Sequence, residues 1–479
     1  MSKFSYLKTI ADCLVSFSVF LFFVVVFTSC KGKISDGMLV ITEIPYASQN
    51  DDAKKGTDDP QPRIIAVKGE NSVKEPEILT KEFYAASSPE ISYDGTKMIF
   101  SARQNKDDLW QIWEMELKNS HVRKIFFCNK NCTGPAYLPG NKCVFSMQPD
   151  DYINNAEQAL FVCNLDGTGL KQVTFHPYAD YFPTILRDGR ILMISRQLYP
   201  EPSDQTLMVM RPDGTKALLY YNKPEGKTIK SRPWENAEGQ VFFIEYDSLK
   251  QKGNIIEIHQ NHPLHSRKNL SENIDGSFGS VFPLQNGKIV VSYRAEKSGN
   301  YDVYEFDPEG TSVGRLLFSH QEKYRIAEVN VVAKRNRPRD LPSEVDESFD
   351  SGLLLCQDIN TPDITKQPED NECKKACRVR LCGIDGTLGE VNVEDDGSFQ
   401  LKILADTPFR IFTLDESGKI ADGPSSWMWI RPNERRGFVG FHADPEMAPV
   451  NRIPLAVKKP PIPVTGDSAI IIHRKHIVE

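Results

Sequence analysis

The 479-residue sequence has no Lys/Arg-rich run, and its formal net charge is −7 at pH 7. Nucleic acid is thereby excluded as a partner, because neutralising phosphates needs a basic face. The common catalytic signatures are missing too. There is no Gly-x-Ser-x-Gly elbow, since Gly276-Ser277-Phe278-Gly279-Ser280 has the wrong spacing, and no α/β-hydrolase pattern follows. There is no P-loop, no dinucleotide fingerprint and no His-Glu-x-x-His. No Cys-x-x-Cys-His occurs either: Cys373 and Cys377 are separated by three residues and followed by Arg378. Helical periodicity is nearly absent. What remains is an ordinary globular composition, 40% apolar and 26% charged, long enough for two or three domains.

The N-terminus carries Lys3 and Lys8, then a 15-residue apolar run from Cys13 to Phe27, then Thr28-Ser29-Cys30. A weakly basic start, a short apolar core and small residues before a cysteine describe an export signal rather than a spanning helix. Phe27-Thr28-Ser29-Cys30 resembles the lipobox of bacterial lipoproteins, which implies lipidation of Cys30 as the first mature residue. The expectation is a bacterial cell-envelope protein, anchored to a membrane through Cys30 and facing the periplasm or exterior. An uncleaved N-terminal anchor is the alternative. Eight cysteines then remain: Cys128, Cys132, Cys143, Cys163, Cys356, Cys373, Cys377 and Cys382. An even number in an exported chain suits disulfides, with Cys128/Cys132 and Cys373/Cys377 as local candidates. A zinc site would instead need Cys373, Cys377 and Cys382 with a fourth ligand such as Cys356.

After a polar stretch at 30–60, read as a flexible tether, an internal repeat sets the fold. Five segments share a proline followed by a turn and an apolar strand, at Pro89, Pro135, Pro183, Pro233 and Pro283. Their spacings are 46, 48, 50 and 50 residues, and most units continue with a second strand pair joined by a turn such as Asp166-Gly167 or Asp213-Gly214. Four short strands in a period of 40–50 residues predict a β-propeller. The repeat resembles that of TolB-type propellers. Six blades are expected over 61–360, with 62–80 and 326–360 jointly forming the sixth, and seven blades as the alternative. Trp110 and Trp113 read as blade-to-blade packing. His259, His262 and His265 are three apart, but beside Pro263 they read as a polar loop rather than a metal site.

Residues 376–432 show close-set strands with Asp-Gly and Ser-Gly turns, predicting a small β-sandwich. The last stretch, 433–479, is proline-rich and reads as an extended arm. Across its start runs Arg431-Pro432-Asn433-Glu434-Arg435-Arg436-Gly437-Phe438-Val439-Gly440-Phe441-His442. Together with Leu353–Asn360 and the strands that follow, this block resembles hydrazine synthase alpha-subunit-like proteins, extracytoplasmic propeller proteins, over roughly 85–465. In that family the segment carries Cys-x-Gly-Cys-His, whose thiols bind haem and whose histidine ligates iron. Here the equivalents are Phe438, Phe441 and His442. Phenylalanine forms no thioether, so covalent haem attachment is chemically excluded, and noncovalent binding through His442 is the only haem route left. The missing thiols and the absent catalytic motifs lead to the expectation of an all-β propeller protein with no cofactor, acting as a non-catalytic binding or scaffold module. Its partner would be a protein on the propeller rim. A haem-binding or electron-transfer subunit is the alternative.

Overall fold

The structure is a computed structural model that describes residues 34–45, 61–69, 75–149, 158–196, 205–295, 299–319, 324–361, 375–440, 446 and 451–464. Among these the chain is built almost wholly of strands, with one short 3-10 turn at Leu455–Lys458. No helix among the described residues is long and apolar enough to cross a membrane.

Six antiparallel sheets of four or five strands follow one another from Met38 to Val331. Seven hydrophobic clusters explain why they stand as a ring, because six of them each bridge two neighbouring sheets. Val40 and Ile64 of the first sheet pack with Phe100 and Trp113 of the second. Ile112 of the second packs with Phe145 of the third, and Val144 of the third with Met193 of the fourth. Leu192 of the fourth meets Phe243 of the fifth, and Ile244 of the fifth meets Phe278 of the sixth. Phe282 of the sixth returns to Ile41 and Ile65 of the first. Each sheet therefore buries both faces against its neighbours, which no single repeat can do alone. The fold is an all-β propeller followed by a β-sandwich.

The first sheet closes the ring from both ends of this region: strand Tyr324–Val331 pairs with Met38–Pro45, which pairs with Arg63–Lys68. Met38–Pro45 falls inside the stretch read from sequence as a tether. Six of its eight residues are buried, so its apolar side chains need the sheet.

The repeat proline has a definite structural job. It cannot donate to a ladder, so the first strand of a repeat must yield there. Register shifts fall at Ser87/Glu90, Thr133/Ala136 and Tyr181/Thr184, and the residues before those prolines, Ser88, Gly134 and Phe182, have φ of 53°, 60° and 50°. These are β-bulges that turn peptide groups toward the ring centre. In the fifth sheet the strand breaks entirely between Lys227–Ile229 and Trp234–Glu235.

Residues 332–350 leave the ring and run extended across its turns. The Arg335 amide donates to Tyr93 O at a hairpin turn of the second sheet, and the Arg339 amide to Arg187 O at a hairpin turn of the fourth. The connector sits so close that a Cβ on Gly189, whose φ is +92°, would lie 2.3 Å from Arg339 O. One face of the propeller is thus covered by the chain's own connector.

The sandwich extends beyond 376–432. Its first sheet contains Ser351–Cys356, which the sequence reading had assigned to the propeller, flanked by Phe399–Leu404 and Arg435–Phe438, with Ile462–Val464 at the edge. Two of these pairings are parallel, Ser351–Cys356 with Arg435–Phe438 and Phe399–Leu404 with Ile462–Val464. The described part of the C-terminal arm therefore supplies two strands to the sandwich.

Candidate functional site

The segment singled out by sequence begins inside the sandwich. Leu353, Leu354, Leu355 and Cys356 lie in register with Arg435, Arg436, Gly437 and Phe438. The Gln357 amide donates to Phe438 O and the Asp358 amide to Val439 O, at 2.9 and 2.8 Å. The Phe438 ring meets the buried Phe399 ring edge-on, centroids 6.0 Å apart, in the sandwich core. A Cβ on Gly440 would come within 2.8 Å of Asp358 O, so only glycine lets the chain pass there. At the position that the resemblance assigns to the first attachment thiol stands a partly buried aromatic ring packed against apolar core. The residues do not fit a covalently attached haem. Phe441 and His442 lie outside the described residues, as does Cys30.

The same stretch clamps the two domains together. Trp429 is fully buried and joins the core between the third and fourth sheets, beside Ala136, Val144 and Met208. Its Nε1 donates to Gly214 O at 3.1 Å. Arg431 donates from Nε to Asp213 O at 3.0 Å, pairs with Asp406 at 2.6 Å, and lies over Phe175. Glu434 accepts from the Lys216 amide at 2.7 Å. The Arg-Pro-Asn-Glu block is therefore a docking element for the Asp213-Gly214 turn.

Behind Trp429 sit His176, Asp180 and Ser195, all buried, a set that suggests a nucleophilic relay until its geometry is measured. Asp180 Oδ2 and Ser195 Oγ both approach the same atom, His176 Nε2, at 2.8 and 3.4 Å, while Nδ1 accepts from the Tyr178 amide. A relay needs the carboxylate on one ring nitrogen and the nucleophile on the other. The imidazole stacks on Trp429 with centroids 5.8 Å apart, so this is a packing group.

The ring centre holds an ionic network the sequence reading missed. Arg232, from the break in the fifth sheet, is 2% exposed. Its Nη1 donates to Pro135 O of the third sheet at 3.0 Å and to Pro183 O of the fourth at 3.3 Å. It pairs with Glu90 of the second sheet at 3.2 Å and Glu328 of the first at 3.4 Å. Arg335 reaches Glu90 at 3.3 Å, and Asn330 donates to Pro89 O at 3.0 Å. Two of the bulged proline carbonyls thus accept from the one guanidinium, and a third accepts from Asn330. Burial raises the Glu90 carboxyl above the usual range even against Arg335 and Arg232, and burial likewise raises Glu328. A signal existed: Arg232 stands before its proline where other repeats have Ser88, Gly134, Phe182 and Phe282.

The other sequence candidates are placed plainly. Trp113 packs between the first and second sheets, and Trp110 lies half-buried under Arg103. His259 ends the strand Lys252–His259, His262 and His265 follow it in turns, and His262 pairs with Glu446 of the tail at 3.6 Å. Cys356 is buried in a sandwich strand, whereas Cys377 and Cys382 lie partly exposed on or beside the other sheet. Cys373 lies outside the described residues. No group of three His, Cys, Asp or Glu side chains among the described residues is arranged for a metal.

Comparison with known proteins agrees with this geometry. Residues 355–443 match the family described as the hydrazine synthase alpha subunit middle domain. The chain is 20% identical over 498 aligned positions to the hydrazine synthase subunit alpha of Kuenenia stuttgartiensis, covering 78% of this chain and 61% of that protein. The chain thus spans less than two thirds of that relative's length. The solved Kuenenia stuttgartiensis hydrazine synthase has the same fold, with a TM-score of 0.73 at 18% identity, over 90% of this chain and 72% of that one. TolB from Acinetobacter baumannii aligns at 15% identity and a TM-score of 0.44 over 63% of this chain and 70% of that one. The resemblance to hydrazine synthase alpha-like propeller proteins, read first from the tail block, is borne out.

Proposed function

We propose that this hydrazine synthase alpha-like chain is a membrane-anchored, extracytoplasmic lipoprotein whose propeller binds a protein partner and carries out no haem chemistry of its own. The observation that carries this reading is Phe438. It occupies the first attachment position of the haem segment and packs on Phe399 in the sandwich core. Arg232 supports a binding role at the surface rather than a passage through the ring, because its guanidinium links four other sheets across the centre. The connector over the hairpin turns leaves the opposite face and the outer rim as docking surfaces. Support for the anchor is the N-terminal sequence, with its apolar run ending in Thr28-Ser29-Cys30.

The test is purification of the full chain from native membranes in mild detergent. The expected result is stable co-purification of one partner protein. Recovery in a Cys30→Ala variant should shift to the soluble fraction. Recovery of the wild-type chain alone, or a variant that stays membrane-bound, would contradict the proposal.

A further inference from the structure

Four of the eight post-signal cysteines gather in one place, the third sheet and the loop leading into it. Cys132 begins the first strand of that sheet, and Cys143 and Cys163 face each other across its second and third strands. Cys128, four residues before Cys132, lies in the loop Phe126–Asn131. The two sulfurs of Cys128 and Cys132 are 3.1 Å apart, and those of Cys143 and Cys163 are 3.6 Å apart. The pairs differ in access. Cys143 and Cys163 are sealed, at 0% and 1% exposure, whereas Cys128 is half-buried and opens to solvent.

The loop is fixed from behind by Gln111, whose Nε2 donates to Lys130 O at 2.8 Å and also points at Cys128 Sγ at 3.7 Å. The Trp110 amide donates to Asn131 Oδ1, and the Cys132 amide to Trp110 O. Cys128 is therefore held beside Cys132 by hydrogen bonds that do not involve sulfur. Its neighbour Phe127 is 84% exposed, which leaves an apolar shelf next to the thiol.

We propose that Cys128 and Cys132 form a dithiol–disulfide exchange site, with Cys128 as the attacking thiol and Cys132 as its resolving partner, acting on accessible disulfides such as glutathione disulfide. The Cys128 thiolate attacks one sulfur of the incoming disulfide, forming a mixed disulfide and expelling one small thiolate. Cys132 Sγ, losing its proton, then attacks Cys128 Sγ and expels the second small thiolate. Two electrons pass from the protein dithiol to the incoming disulfide, and the two cysteine protons end on the released thiols. The environment suits the roles. The Cys132 thiol donating to Cys128, opposed by partial burial and helped by Gln111 and Lys130, holds Cys128 down to about 6. The same hydrogen bond holds the proton on Cys132, and with burial it raises that thiol. The exposed sulfur is thus the ready nucleophile and the buried one waits for a partner at 3.1 Å.

The experiment treats the reduced, folded full chain with glutathione disulfide and reads products by mass spectrometry and thiol release. The wild type should release two glutathiones per chain and retain none, ending with a Cys128–Cys132 disulfide. Cys132→Ser should stop at one glutathione held on Cys128, and Cys128→Ser should form neither product. Cys143 and Cys163 serve as internal controls that stay unmodified until the chain is unfolded. In the wild type, iodoacetamide labelling of Cys128 should level off above pH ~7, where an ordinary thiol is still rising. The disulfide should also be reversible in excess reduced glutathione. Three results would overturn the proposal: adducts spread evenly over Cys128, Cys377 and Cys382; labelling that rises without a plateau to pH ~9; or a disulfide inert to excess reduced glutathione, which marks a structural staple. If Cys132→Ser loses its native circular dichroism, the wild-type stoichiometry and the labelling curve decide the matter.

Discussion

Trp429→Ala should do more than weaken one domain, because the indole belongs to the sandwich chain segment and to the propeller core at once. Trp429 is fully buried among Ala136, Val144, Met193 and Met208, and donates to Gly214 O. Truncating a buried Trp to Ala costs about 3–5 kcal/mol, from lost apolar contact and the cavity left behind. The lost hydrogen bond contributes about 1 kcal/mol of that sum. The loss falls on the contact between domains, so the coupling between them should fail before either core does. The assay is urea unfolding followed by far-ultraviolet circular dichroism and by limited proteolysis at the connector. The wild type should give coincident transitions, whereas the variant should give an earlier loosening of the sandwich and faster cleavage within 332–350. Trp429→Phe, which keeps most of the apolar area, should recover more than half of the loss. Transitions of Trp429→Ala within about 1 kcal/mol of wild type, well below a normal buried truncation, would refute the reasoning. So would a Phe variant as damaged as the Ala variant.

Other consequences can be read from single sites. Arg232→Met should cost about 3–5 kcal/mol at neutral pH, because it takes the guanidinium away from buried Glu328 and leaves buried Glu90 with Arg335 alone. Both carboxyls are raised above their usual values by burial, so protonation relieves the variant: the stability gap from wild type should shrink as pH falls through the folded carboxyl values toward 4.5. Chemical denaturation at pH 5 and pH 8 measures this, and a gap that widens in acid would oppose it. Phe438→Ala should destabilise the sandwich by about 2–3 kcal/mol, the low end for a Phe truncation since the ring is only partly buried; thermal unfolding of the full chain reads the loss. Gly189→Ala should be destabilising beyond ordinary backbone strain, because its Cβ would collide with Arg339 O and lift the connector; hydrogen exchange at the Arg339 amide reports that lifting.

The propeller was legible because its signal is local and repeated: each proline and each Asp-Gly turn marks a unit without reference to distant residues. The boundaries were not, because they depend on pairing across long separations. Met38–Pro45 pairs with Tyr324–Val331, and nothing in its own sequence names that partner. Ser351–Cys356 is an apolar run that suits a last blade equally well, and its parallel pairing with Arg435–Phe438 has no short-range mark. Arg232 was hidden by a different cause. Its charge joins no local motif, and its role emerges only when bulged prolines from separate sheets meet at the centre. That Phe438 and Phe441 can form no thioether was fully legible, since thioether chemistry is decided by residue identity. The seat of Phe438 against Phe399 was not.

The absorption spectrum of the purified full-length chain, expressed with c-type haem maturation and excess haem, tests the central claim most directly. The account expects no Soret band in proportion to the chain and no change on His442→Ala. A stoichiometric Soret band that disappears in His442→Ala would contradict it.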